Sequence, residues 1–249
     1  MIHLGRCTKT LDGKRRLAMS VDEFSTSEAK RPHWLFPFWR STVGKKVVMA
    51  LTGAMGVGYL AAHMMGNLQV FEGAGKINAY ADLLKSNMGL LWMARSVLVI
   101  AVGLHIVAAY QLARISQRSR PVGYKRWRPV GSDFASRTMR WTGTLLALFI
   151  VYHLLHLTTG AVHPDFVQAD VYHNVISGFR VWYVSVIYIV AMLMLGLHLY
   201  HGAWSMFESV GLNHPKYNRL IRALATIVTA IVVAGFIAIP AAVLMGFIS

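Results

Sequence analysis

Five stretches of this sequence, about residues 45–70, 90–113, 140–161, 181–207 and 220–248, are apolar along their length and contain no aspartate or glutamate. A bilayer core about 30 Å thick is crossed by roughly twenty residues of α-helix, in which every backbone polar group is satisfied within the segment. The pattern therefore predicts an all-α membrane protein, a bundle of five transmembrane helices. Composition agrees, because a chain of 249 residues that is 55% hydrophobic and 14% charged has too little polar material for a soluble domain of this size. Pro240 lies inside the last stretch and predicts a local kink, since it removes a backbone donor and crowds the preceding turn.

The formal net charge of +15 does not read as a nucleic-acid footprint, because long apolar runs divide the basic residues. It reads as topology. Between the second and third spans stand Arg114, Arg118, Arg120, Lys125, Arg126, Arg128, Arg137 and Arg140 against only Asp133, and such a loop is expected in the cytoplasm. The approaches to the first span (Arg31, Arg40, Lys45, Lys46) and the last (Lys216, Arg219, Arg222) agree, whereas Glu72 and Asp82 offset Lys76 and Lys85 in the first outer loop. The N-terminus is thus expected inside and Ser249 outside. Residues 1–40 read as a cytoplasmic extension and 41–249 as the membrane domain. The first apolar run begins only after about forty residues, so no signal peptide is expected, and Met19 could serve as the start. Cys7, the single cysteine, excludes an intrachain disulfide, a cysteine-ligated cluster and a c-type haem attachment.

Six of the eleven histidines fall inside the predicted spans: His63, His105, His153, His156, His198 and His201. Ionisable groups are costly in hydrocarbon and usually mark function. One alone is as readily a satisfied interior group; one on each of four helices is a pattern. Neutral imidazole is a good ligand for haem iron, and two imidazoles fill both axial positions, leaving a centre suited to electron transfer. The first and third helices run outward and carry His63 and His153 late in their spans. The second and fourth run inward and carry His105 and His198 in their inner halves. Depth therefore pairs His63 with His153 on a distal haem iron and His105 with His198 on a proximal one, two b-type haems in all.

Within His153/His156 and His198/His201, a spacing of three puts both rings on one helix face, and spacing alone does not choose. Thr52-Gly53 stands ten residues before His63 and Thr142-Gly143 ten before His153, while Gly103-Leu104-His105 is echoed by Gly196-Leu197-His198. These repeats favour His153 and His198 as ligands. His156 and His201 are then neighbours of the haems, bonding propionates or bounding a quinone pocket, or purely structural groups. Gly53, Gly56, Gly103 and Gly196 would let a flat macrocycle approach the backbone, or serve helix packing.

The motifs Ser41-Thr42-Val43-Gly44-Lys45-Lys46, Ala50-Leu51-Thr52-Gly53, His63-Met64-Met65-Gly66-Asn67, His153-Leu154-Leu155-His156 and His198-Leu199-Tyr200-His201-Gly202 span about residues 40–213. At these residues the chain resembles the cytochrome b558 family, the single-subunit di-haem anchors of bacterial succinate dehydrogenases and fumarate reductases. The resemblance implies the same ligand pairs, a place in the bacterial cytoplasmic membrane, and no catalysis by the chain alone. It also implies two partners: a flavoprotein subunit that oxidises succinate, and an iron–sulfur subunit that delivers electrons to the inner face. A quinone, menaquinone by resemblance, exchanges electrons with the haems. Related fumarate reductases carry an acidic residue two positions before the fourth-helix ligand, where this chain has Gly196, so the resemblance does not extend to a proton path of that kind.

Asn67, Gln69, Tyr80, Arg95, His163 and Arg180, at the outer helix ends, are candidate quinone contacts, and Arg95 and Arg180 could instead bind propionates of the distal haem. Two other readings use the same residues. A transporter would need carboxylates within the spans, and only Glu208 stands at a margin. A free-standing membrane cytochrome, a quinol-linked or ferric reductase, would use the same histidine pairs. The charge distribution yields a direct test: a reporter fused after Ser249 is expected to work only outside the cytoplasm, and cytoplasmic activity would sink the five-span topology.

Overall fold

The computed structural model describes residues 35–119, 122 and 133–249, which are helical with no strand. Most of the N-terminal extension, with Cys7, Met19 and Arg31, and the middle of the basic loop, with Arg120, Lys125, Arg126 and Arg128, lie outside the described residues. A short helix, α1 (Leu35–Arg40), belongs to an N-terminal unit that ends at Ser41, whose hydroxyl donates to the Phe38 carbonyl at 2.8 Å.

The second unit, Thr42–Ser249, carries the membrane bundle. Its helices are α2 (Thr42–Leu68), α3 (Ala74–Lys85), α4 (Met88–Arg118), α5 (Phe134–His153), α6 (Val171–Arg180), α7 (Trp182–Ser209) and α8 (Pro215–Leu244). A 3₁₀ turn prolongs α2 to Glu72, and a π-helical turn, Leu154–Thr158, prolongs α5. Five of these, α2, α4, α5, α7 and α8, are long and apolar enough to cross a membrane, as the hydropathy pattern predicts. Their outward surfaces agree: Trp141, Val99 and Leu148 are 74%, 70% and 64% exposed, an apolar coat that water would not tolerate over so many residues.

Two spans, α5 and α8, begin five or six residues earlier than hydropathy places them because their first turns are polar and capped. Asp133 accepts the Ser136 amide at 2.7 Å and starts α5 before Arg137 and Arg140. His214 Nδ1 accepts the Lys216 amide at 3.2 Å, with Pro215 in the first turn of α8. At the other end α8 stops at Leu244, short of the predicted 248, where Gly246 turns left-handed at φ 74°. The amide of Phe247 then bonds back to Ala242 and that of Gly246 to Val243, which satisfies the last carbonyls. Pro240 is buried and does not end α8, which runs on through it.

The spans α4 and α8 pack on α2, α5 packs on α7, and α7 joins α2 and α8. Two short helices that hydropathy does not reveal, α3 and α6, pack on each other, and α6 also reaches α7 and α8. Val175, Ile176 and Phe179 of α6 join Val70, Ile77, Val184, Tyr188, Ile239 and Val243 in one apolar cluster at this end of the bundle. Asn78 stitches α3 to α6, donating to Asp170 Oδ1 at 3.0 Å and accepting the Tyr172 amide at 3.1 Å. The same Asp170 oxygen caps α6 by accepting the His173 amide at 3.0 Å.

The His173 amide, and then the Asn78 side chain, hold the Asp170 carboxyl below the usual carboxylate range. A group whose pKa is lowered on folding stabilises above its unfolded value, about 3.9 for aspartate, and loses that contribution as pH falls through the folded value. The protection of the α6 amides from hydrogen exchange, relative to the intrinsic rate at each pH, should therefore fall below about pH 4. Asp170→Ala should bring the lower protection to neutral pH, at a cost of about 1 kcal/mol to the helix. Unchanged exchange in that variant would remove this cap from the account.

Candidate functional site

One histidine pair, His105 and His198, is held by threonines on neighbouring helices. The Thr52 hydroxyl, on α2, bonds back to the Val48 carbonyl at 2.7 Å, so its proton is used and its oxygen faces α4 as an acceptor. His105 Nδ1 lies 3.2 Å from that oxygen and 3.1 Å from the Met49 carbonyl. A carbonyl can only accept, so Nδ1 carries the proton and Nε2 keeps its lone pair. The arrangement repeats on α5 and α7. Thr142 donates to the Thr138 or Met139 carbonyl, each at 3.2 Å, and its oxygen lies 3.3 Å from His198 Nδ1.

The glycine after each threonine clears the ring that the threonine holds. A Cβ on Gly53 would stand 3.5 Å from His105 Cε1, and one on Gly143 would stand 3.3 Å from His198 Cε1. Held this way, the rings of His105 and His198 lie edge-on to one another with centroids 6.3 Å apart and planes at 60°.

The second pair is His63 and His153, with centroids 5.8 Å apart and planes at 85°. His63 stacks on Tyr59 at 5.3 Å and touches Phe236 of α8 at 5.8 Å. His153 Nδ1 lies 3.3 Å from the Tyr188 hydroxyl, and the same hydroxyl lies 3.0 Å from His156 Nδ1. From Thr52 to His63, and from Thr142 to His153, the sequence advances by the same eleven residues. At a rise of about 1.5 Å per residue the two levels are roughly 16 Å apart along the helices.

The structure separates the close histidine pairs. His156 is fully buried, stacked between His163 at 4.7 Å and Tyr152 at 5.5 Å, with its Nε2 unpartnered. His201 lies instead toward the start of α5, 3.8 Å from Asp133. Of the polar candidates at the outer end, His163 has both ring nitrogens engaged: Nε2 donates to the Asn174 carbonyl at 2.8 Å and Nδ1 accepts the Asp165 amide at 3.0 Å. Arg95 is exposed above the Trp92 ring at 5.2 Å. Arg180 is the exposed last residue of α6, a cation at the negative end of that helix, and does not begin a span. Gln69 Oε1 is buried without a partner, Asn67 is half-buried, and Tyr80 covers Gly66, where a Cβ would meet its ring at 2.7 Å.

Two of the four glycines read as room for a macrocycle or for helix packing have protein neighbours. Gly53 faces an imidazole, and Gly196 faces Val233, 3.1 Å from where its Cβ would be, so it serves the packing of α7 on α8. Gly143, absent from that set, takes the role that Gly53 has. The signal for both was the Thr-Gly repeat, which points to the histidine of the neighbouring helix and not to the one ten residues on. Tyr188 carried no signal: it is one of ten tyrosines, in an unbroken apolar run.

Among the described residues no three His, Cys, Asp or Glu side chains gather to hold a bare metal ion. Two neutral imidazoles per level instead suit an iron whose other four ligands come from a porphyrin. Two metal–nitrogen bonds of about 2.0 Å, plus the reach from each nitrogen to its ring centre, call for centroids about 6 Å apart. Both pairs, at 5.8 and 6.3 Å, meet that requirement.

Residues 116–239 match the family described as the succinate dehydrogenase/fumarate reductase transmembrane subunit. The matched region contains α5, α6, α7 and most of α8, and with them Thr142, His153, Tyr188 and His198. Comparison with curated proteins and with solved structures gives no match. Five apolar spans and this match lead to one identification: the chain belongs to the succinate dehydrogenase/fumarate reductase transmembrane subunit family and is a multi-pass membrane subunit of that kind.

Proposed function

We propose that this chain is the di-haem membrane anchor of a succinate:quinone oxidoreductase, passing electrons from an iron–sulfur subunit through two b-type haems to or from quinone. The observation that supports the reading is the pair of adjacent imidazoles at each of two levels, 6.3 and 5.8 Å between centroids. Each haem, when bound, takes up and releases one electron with its ligation unchanged. His105 and His198 hold the proximal haem and His63 and His153 the distal one. Thr52 and Thr142 keep the Nδ1 protons of the proximal ligands, so that each presents a neutral Nε2 lone pair toward the iron. Arg95, exposed near the start of α4, is a candidate cation for a propionate of the distal haem.

The basic residues flanking the spans, among them Arg114, Arg118, Arg137, Arg140, Lys216 and Arg219, put the inner level toward the cytoplasm under the positive-inside rule. The iron–sulfur subunit docks on that face, with the flavoprotein subunit beyond it, and the membrane is the bacterial cytoplasmic membrane. Quinone, menaquinone by family likeness, reacts at the outer end. There Gln69 offers a buried acceptor without a partner, whereas His163 would first have to give up its bond to Asn174. A free-standing cytochrome would use the same pairs; the family match favours the anchor.

Purification from mild detergent tests this directly. The chain should bring down a flavoprotein and an iron–sulfur subunit and show a b-type optical spectrum, and its isolation alone would favour the free-standing cytochrome. His63→Ala and His153→Ala should each lose the distal low-spin haem, and His105→Ala and His198→Ala the proximal one, while His156→Ala and His201→Ala keep both. Loss of one and the same centre in His63→Ala and His105→Ala would defeat the two-level reading. Thr142→Val keeps the shape of the side chain but removes the acceptor from His198. The proximal midpoint potential should then rise with the distal one unmoved, and a shift confined to the distal haem would reverse the assignment.

A further inference from the structure

Tyr188 is held in place on several sides. It is 6% exposed, lies edge-on to Phe149 and Phe179 at 5.0 and 4.8 Å, and its two hydrogen-bond contacts among the described residues are both imidazole nitrogens. The π-helical turn at Leu154–Thr158 contributes, because a widened turn after His153 re-aims the residues that follow. It lets His156 reach the same hydroxyl as His153. We propose that Tyr188 is a positioning residue of the outer haem, joining its axial ligand His153 to the buried His156 in one hydrogen-bonded line. The proposal rests on the haem reading above.

Proton counting sets the direction of the line. A neutral histidine that binds iron through Nε2 carries its proton on Nδ1, so His153 donates to the Tyr188 oxygen. Tyr188 has one proton of its own, and the second nitrogen within reach is His156 Nδ1 at 3.0 Å, so the hydroxyl donates there. His156 then bears its proton on Nε2, the buried nitrogen without a partner. The alternative, with both imidazoles donating to Tyr188, would strand the hydroxyl proton as well as His156 Nε2. In a low-dielectric interior each such loss is expensive, so the single-line arrangement prevails.

An acceptor on the Nδ1 proton raises the basicity of the ligating imidazole and favours ferric iron. A hydroxyl that itself donates onward is the better acceptor, so His156 strengthens the bond to His153 without touching it. The inner ligands have no such extension. Thr52 and Thr142 end their bonds on backbone carbonyls of their own helices, which accept and pass nothing further.

The test is a redox titration of both haems in the assembled complex. Tyr188→Phe, which keeps the ring, should retain both low-spin haems. It should shift the distal ferrous-to-ferric equilibrium toward ferrous by about tenfold, a rise of about 59 mV for one electron, with the proximal haem unmoved. His156→Leu should raise the same potential by less. His156→Asn, whose amide oxygen can take the place of Nδ1, should restore it, and Tyr188→Phe with His156→Leu should match Tyr188→Phe alone. Should Tyr188→Phe not assemble, the contrast between His156→Leu and His156→Asn decides. Equal shifts in both haems, an unmoved distal potential, or additive effects in the double variant would each overturn the line. An unsubstituted complex with no distal haem would instead overturn the haem reading itself.

Discussion

A histidine inside a bilayer has two nitrogens to account for and no water to help. The rest of this bundle follows from where the Nδ1 proton goes. On α2 and α5 a threonine uses its own proton on a backbone carbonyl one turn back and so becomes a pure acceptor for the next helix. The imidazole that donates to it has a fixed tautomer and a fixed ring plane. Helix packing must then bring α4 close to α2, and α7 close to α5, at the height of the threonine, and a glycine in the next position lets the ring edge come near. Register, tautomer and close approach are thus one constraint.

The two levels meet this constraint differently. At the level of Thr52 and Thr142 both histidines are braced by the same device, and each bond ends within one helix. At the level of Tyr188 His63 leans on Tyr59 and Phe236, while His153 is tied through Tyr188 to a second histidine whose far nitrogen is orphaned. An orphaned buried nitrogen is costly, and native folds keep few of them. Here it lies on the side toward α6, where Gly178 leaves room for His156 and His163; a Cβ there would stand 2.9 Å from both rings. The short helices α3 and α6, joined through Asn78 and Asp170, close this end of the bundle over the Tyr188 cluster.

Much of this was legible in the chain itself. Apolar length and the lack of carboxylates predict five spans, because hydrocarbon admits only a backbone that satisfies itself. Histidines at matching depths on alternating helices predict two levels, because a helix converts residue number into height. The capped first turns of α5 and α8 were clipped, since a hydropathy window sees Arg137 or Lys216 as loop although Asp133 and His214 already start the helix there. The helices α3 and α6 were missed because they are short and amphipathic and take their stability from one another.

What periodicity and spacing do not carry is rotation about each helix axis and the identity of the neighbour. His153 and His156 share a face by spacing, and only the π turn and the position of Tyr188 on α7 separate their surroundings. The Thr-Gly repeat was visible as a repeat, yet its partner is a histidine more than fifty residues away on another helix. Sequence by itself determined the apolar, membrane-spanning character and the number of spans, because these depend on local length and polarity. Tertiary structure alone decided which hydroxyl meets which imidazole, because a hydrogen bond of about 3 Å depends on how two helices are turned toward each other.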